Sequence, residues 1–503
     1  ITKQDVVDWA NKYLGPESYA IIYKREGKDP NEQKIAAPKI TPIVTNRDSQ
    51  SEFLSEIQTS QVQPIEPVFV DYKKDMSQFE AQPGIDVLYK KNETNDIFTL
   101  IYVFNTGTEN DPALNLAFNY LSYLGTDKMT AEEIASEMYD IACSFYMNAG
   151  ANQSSIQITG LSENMGKAME IVEGLIAGAK PDEAILENLK GDMLKSRADA
   201  KLNQSRCFGA LQRYLFYGGD FIRRTTLTDP ALQALTSEQL LAKIGDLTGK
   251  QHEVLYYGPQ KETEIKSALA EHHKVAADLQ PLEKKFSALL PTDANKVVLA
   301  QYDAKQLYYL QFSNRGEKFD VAADPEITLY NEYFGGGMNT IVFQEMREAR
   351  GLAYTAWATL ATPSNANGDY SYYAFIATQN DKMQKAVEAF DDIINNMPES
   401  EKAFGIAKEA LVSRLRTERT VKDGVLWSYL RARDLGLDAP RDKQIFEKVQ
   451  SMTLDDVKAA QQKWVKGRKY VYGILGDIQD LDLNYLKTLG PIQTVSQEEI
   501  FGY

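Results

Sequence analysis

The chain has 503 residues, 43% apolar, 10% aromatic and 25% charged, with a formal net charge of −16. That length exceeds what one hydrophobic core usually serves, so several domains are expected. The acidic balance, with no block of clustered Lys and Arg, excludes a nucleic-acid partner. The absence of a run of about 18 apolar residues excludes a membrane-spanning helix.

The first predicted element is an amphipathic helix opened by Thr2, with Asp5 placed for a capping box, followed by an apolar strand over Tyr19–Lys24. Residues 36–67, with Pro38, Pro42, Pro64 and Pro67 among polar residues, read as an extended linker. Two strands are then predicted, at Gly84–Tyr89 and Ile97–Phe104, with another at Ser155–Thr159 before a helix over Asn164–Val172. A second threonine-opened helix, at Thr236 with Gln239, leads to a strand at Val254–Gly258.

The same series recurs downstream. Strands are predicted at Lys296–Ala300, Leu307–Phe312 and Tyr370–Ile376, with a helix over Lys382–Phe390. A third threonine-opened helix, at Thr453 with Asp456, leads to a strand at Tyr470–Gly476. Three closings and two openings define a repeat. The fold class is α+β: two repeated units, each a mostly antiparallel sheet with helices on one face, preceded by the tail of a third unit and a linker. The expected boundaries are 1–35 for the tail of a truncated domain and 36–67 for the linker. One complete unit covers 68–278, and a C-terminal unit covers 279–503.

The most specific motif runs from Phe334 to Trp357: three glycines, a helix containing Glu345-Met346-Arg347, then Arg350-Gly-Leu-Ala-Tyr354 leading into a strand. It resembles the pitrilysin/insulysin (inverted zincin) metallopeptidases. The resemblance implies the C-terminal, non-zinc half of a four-domain chain. A zinc-bearing N-terminal half and unfolded peptide substrates would be its partners. It further implies that Arg347 and Tyr354 bind the peptide, the arginine by its permanently charged fork and the tyrosine by its phenolic hydroxyl. Arg350 is expected to be structural. The two halves would swing about the linker to admit substrate.

The family's H-x-x-E-H zinc motif would fall on Leu116, Asn119 and Tyr120, anchored by Leu124-Gly125-Thr126. Leucine cannot ligate metal, and asparagine cannot act as the water-activating base. This segment is therefore expected to bind no metal, to supply no catalytic residue and to be inactive alone, with zinc in the N-terminal half. Its three histidines, His252, His272 and His273, include no pair four residues apart, and His272–His273 reads as a solvated surface position.

Other features carry structural readings. Cys143 and Cys207 read as small core residues. Gly335–Gly337 reads as close packing of a helix start against the sheet, and the basic, aromatic stretch Lys201–Arg224 as a domain surface or an inter-unit contact. The alternative function is a non-catalytic scaffold or binding subunit of the same fold. The compartment, bacterial periplasm or cytoplasm, is open.

Overall fold

In a computed structural model, the described residues are 2–15, 17, 19–23, 27, 51–61 and 63–503. They fall into two compact units, Ile1–Pro64 and Ile65–Tyr503.

In the first unit, Lys3–Tyr13 is helical, and Thr2 and Asp5 close the expected capping box. None of the helix is buried, and Val6 and Trp9 remain more than half exposed. Residues 19–23 form no strand. The apolar pattern there has no neighbouring strand to pair with among the described residues, and an isolated strand is not stable. Lys24, like residues 36–50 of the expected linker, lies outside the described residues. Within that linker Glu52–Thr59 is helical rather than extended, because Ser51 accepts from the Leu54 amide and starts a turn.

The second unit contains both sheets. The strands of the first are β1 (Ser77–Gln82), β2 (Ile85–Lys91), β3 (Ile97–Phe104), β4 (Cys143–Ala149), β5 (Ser154–Leu161) and β6 (His252–Gly258). Those of the second are β7 (Lys296–Gln301), β8 (Gln306–Lys318), β9 (Thr355–Ala361), β10 (Asp369–Gln379), β11 (Val471–Gly476) and β12 (Ile492–Val495). Their orders are β1-β2-β6-β3-β5-β4 and β12-β7-β11-β8-β10-β9.

Five strands of each sheet correspond. In both, the closing strand slots in parallel to the opening one (β6 on β2, β11 on β7), and the remaining shared pairs are antiparallel. The outermost strand differs: antiparallel β1 precedes the first repeat, whereas parallel β12 follows the second. β9 is the strand expected after Tyr354, whereas β1, β4 and β12 are not in the sequence reading.

One face of each sheet carries its own helices. In the first repeat these include Met165–Gly178, whose Met165, Ala168, Met169 and Val172 are buried, and in the second Met383–Asn395, with Met383, Ala386, Val387 and Phe390. The other face is covered reciprocally. The helix Gln204–Thr225, which breaks at Gly218, belongs to the first repeat, yet its Phe208, Leu211 and Leu215 pack on Leu310, Phe312 and Phe375 of the second sheet. In return, Val425, Leu426 and Leu430 of the helix Gly424–Asp434 pack on Leu88, Ile101 and Leu255 of the first sheet. Covering both faces explains why every residue of β6 and β11 is buried. Arg433 fixes this contact with a bidentate pair to Glu253, at 2.5 and 2.7 Å. Of the two readings of Lys201–Arg224, a domain surface or an inter-unit contact, the structure shows the second, and Cys143 and Cys207 are both buried.

Candidate substrate-binding site

The motif that carried the resemblance forms the end of a helix and the entry to β9. Ile341–Phe343 starts the helix, and Gln344–Ala349 continues it as a π-turn, with the Arg350 amide reaching back to the Glu345 carbonyl. Met346 is fully buried and anchors the turn. Gly351 ends the helix at φ 58°, a conformation that glycine adopts without a Cβ clash. The following loop is tied down: the Leu352 amide donates to the Met346 carbonyl at 2.9 Å, and the Thr378 hydroxyl to the Leu352 carbonyl at 2.6 Å.

This geometry brings Arg347 and Tyr354 together. The Arg347 guanidinium lies 4.4 Å from the centre of the Tyr354 ring and 4.9 Å from that of Phe343. An arginine held between two ring faces loses conformational freedom but keeps its N–H edges for a ligand. Its ion pair to Glu348, at 3.6 Å, is long and half exposed. Tyr354 is 74% exposed, and among the described residues its hydroxyl has no hydrogen-bond partner. Arg350 is committed elsewhere, to Asp392 at 3.0 Å and Glu345 at 3.4 Å, which is the structural role expected of it. Asp392 is correspondingly held below the usual carboxylate range, by Asn396 first and then by Arg350. At the start of the motif a Cβ on Gly335 would strike the Asn331 carbonyl, and one on Gly336 would come within 2.8 Å of Trp357 Cβ. The glycines thus serve close packing on β9.

The degenerate zinc positions lie on the helix Leu114–Leu121 and do not converge. Leu116 and Tyr120 are buried in the core, and the Tyr120 hydroxyl donates to Ser237 at 2.7 Å while accepting from the Asp182 amide. Asn119 is exposed, and among the described residues its side chain bonds only Asn115. These side chains do not fit a zinc ion: one has no donor atom, one is consumed by the core and one faces away. Among the described residues, no group of three or more His, Cys, Asp or Glu is placed to hold a metal.

The histidines depart from the sequence reading. His273 is not a solvated surface residue; it is 8% exposed and meets the 4% exposed His252 across a 2.8 Å contact between their Nε2 atoms. Its neighbour His272 is also largely covered. The error arose because residues 273 and 252 are brought together by the docking of the helix Glu262–His272 against the helix Met165–Gly178 and β1, which sequence spacing does not show. The chain of bonds sets the protons. The Lys250 carbonyl can only accept, so His252 Nδ1 donates to it, at 2.8 Å. A neutral His252 then accepts at Nε2 from His273 Nε2–H. His273 Nδ1 in turn contacts the Glu173 carboxylate at 2.5 Å. Burial, together with the charge of His273, pushes the His252 imidazole down to about 4.

Comparison with known proteins agrees with this architecture. Residues 247–411, from the end of the first repeat through most of the second, match the family model "Peptidase M16 inactive domain". Residues 247–411 are thus similar to an inactive domain of the M16 metallopeptidases, the zinc-protease family that the motif Phe334–Trp357 resembles. It is 22% identical, over 49% of its length, to an uncharacterized zinc protease of Streptomyces coelicolor, and 22% identical over 59% to one of Rickettsia bellii. It spans 56% of the Streptomyces protein's own length.

Its fold is similar to a crystal structure of a peptidase M16 inactive domain from Pseudomonas fluorescens, at TM-score 0.64 and 18% identity, covering 80% of this chain and 98% of that one. It is also similar to the periplasmic protease PqqL of Escherichia coli, at TM-score 0.64 and 12% identity, covering 95% of this chain and 51% of PqqL.

Proposed function

We propose that this chain is the zinc-free half of an M16-type endopeptidase, which closes a chamber against a zinc-bearing half and presents peptide substrate through Arg347 and Tyr354. The observation that carries the reading is the stack of Arg347 on Tyr354 and Phe343, beside an exposed phenolic hydroxyl. The guanidinium N–H groups donate to a peptide carbonyl. The Tyr354 hydroxyl donates to the oxygen on which charge develops during attack, where a fixed donor is most effective. Hydrolysis itself is assigned to the other half, because Leu116, Asn119 and Tyr120 offer neither ligands nor a base.

The test is reassembly with the zinc-bearing half and cleavage of a quenched peptide. Arg347→Ala and Tyr354→Phe should each lower kcat/KM by roughly 10²–10³, the loss expected for one oxyanion donor, about 2.7–4 kcal/mol. Stable association of the halves with unchanged kinetics in both variants would refute the assignment. Association with no cleavage at all would favour the scaffold alternative.

A further inference from the structure

We propose that a second site, remote in sequence from Arg347 and Tyr354, binds acidic segments of peptide. It is a groove of about 430 Å³ between the end of β2, the segment around Phe69 and the loop that precedes the helix Gly424–Asp434. Lys90, Lys91, Arg419 and Lys422 line it, against two carboxylates, Asp75 and Glu93. This is a local excess of positive charge on a chain whose net charge is −16.

Among the described residues none of the four cations is in an ion pair. Lys90 donates to the Asp75 carbonyl at 3.0 Å. Arg419 donates to the carbonyls of Arg416, Glu418 and Glu66, which fix the guanidinium without neutralising it. One of the two acids is already engaged, since Asp75 accepts from the Asp71 amide at 2.7 Å.

Two further observations separate this groove from an ordinary lysine-rich surface. Lys422 sits at φ 55°, one of only two non-glycine residues with positive φ among the described residues. A lysine in that region is strained, and such strain gathers where a side chain is aimed for a purpose. The floor is apolar, formed by Phe69, Val70, Tyr257 and Val425. Cations around an apolar floor suit a ligand that alternates carboxylates with apolar side chains. An extended peptide does so naturally, because successive side chains point to opposite sides. The inference deepens the peptide-handling reading and rests on it for the purpose of the binding, but the binding itself is measured without proteolysis.

The experiment is fluorescence anisotropy on the full chain with a labelled peptide alternating Glu and Leu, and its counterpart alternating Gln and Leu. The Glu peptide should bind at least about tenfold tighter at low salt, and the preference should collapse near 1 M salt, where the screening length is about 3 Å. Lys91→Glu with Lys422→Glu, both exposed, should abolish the preference. Lys422→Gly should weaken binding while raising Tm, because glycine relieves the backbone strain. Equal affinity for the two peptides, an unchanged preference in the charge-reversed protein, or no binding at about millimolar peptide would overturn the proposal. Arg347→Ala with Tyr354→Phe should leave this affinity unchanged. Should that variant lose the acidic peptide while Lys91→Glu/Lys422→Glu keeps it, the groove is wrong and the Arg347/Tyr354 reading stands.

Discussion

The two repeats place the same local sequence in the same place and arrive at different surfaces. Glu137-Met138-Tyr139 in the first corresponds to Glu345-Met346-Arg347 in the second, and both methionines are buried. Each helix ends at a residue in the left-handed region, Ala142 at φ 50° and Gly351 at φ 58°. The first repeat takes four residues from methionine to that point and stays α-helical. The second takes five, and the extra residue is absorbed by the π-turn. β4 begins directly after Ala142, whereas Leu352, Ala353 and Tyr354 intervene before β9. One added residue in the helix and a longer exit loop thus bring an arginine and an exposed tyrosine face to face. The first repeat has an exposed Tyr139 at the matching helical position and a buried Cys143 at the strand entry.

That comparison can be broken or sharpened by substitution. The largest effects should come from the reciprocal helices: Leu211→Ala and Leu426→Ala, both fully buried, should each cost about 2–5 kcal/mol in urea melts. Near-equal losses would show that the two repeats depend on each other symmetrically, and a negligible loss at either site would refute mutual covering.

Next is the buried imidazole chain, present only in the first repeat. His252 is depressed to about 4 from an ordinary 6.5, so the unfolded chain binds its proton first as pH falls. The stabilisation is therefore complete above about 6.5 and is lost as pH falls towards 4, by about 3 kcal/mol. Stability curves for the wild type and His252→Gln should converge across that window; parallel curves would exclude the chain as the acid-sensitive element.

Arg433→Ala should cost about 2 kcal/mol, because it leaves the Glu253 carboxylate covered and unpaired while the arginine itself is partly exposed. The smallest effect is expected for Tyr120→Phe, about 1 kcal/mol, read as a lower Tm with no change in metal content. A larger loss would mean that the degenerate helix is held mainly by that hydroxyl.

Much of the fold was legible in the chain. The opening and closing strands, the paired helices and the capping boxes at Thr2, Thr236 and Thr453 are local patterns, and the structure places nearly all of them. Tyr19–Tyr23 failed because a strand is defined by its partner. The edge strands β1 and β12 were missed because each offers only two apolar residues to mark it, whereas β9 was legible from the motif that precedes it. Arg347 and Tyr354 were singled out as a pair by the family resemblance, but neither their stacking nor the π-turn that permits it was, since nothing in Gln344–Ala349 marks a five-residue turn. The meeting of His252 with His273, and of Lys90 with Lys422, depends on distant segments and leaves no periodic trace.

The exchange of covering helices also bears on how such a chain can be divided. A break between the two repeats, anywhere from 279 to 293, would leave each piece with a bare sheet face and a stranded amphipathic helix seeking it. Both fragments would then associate with one another or aggregate, as in an intramolecular version of domain swapping. Gene fission or limited trimming at that joint is thus disfavoured.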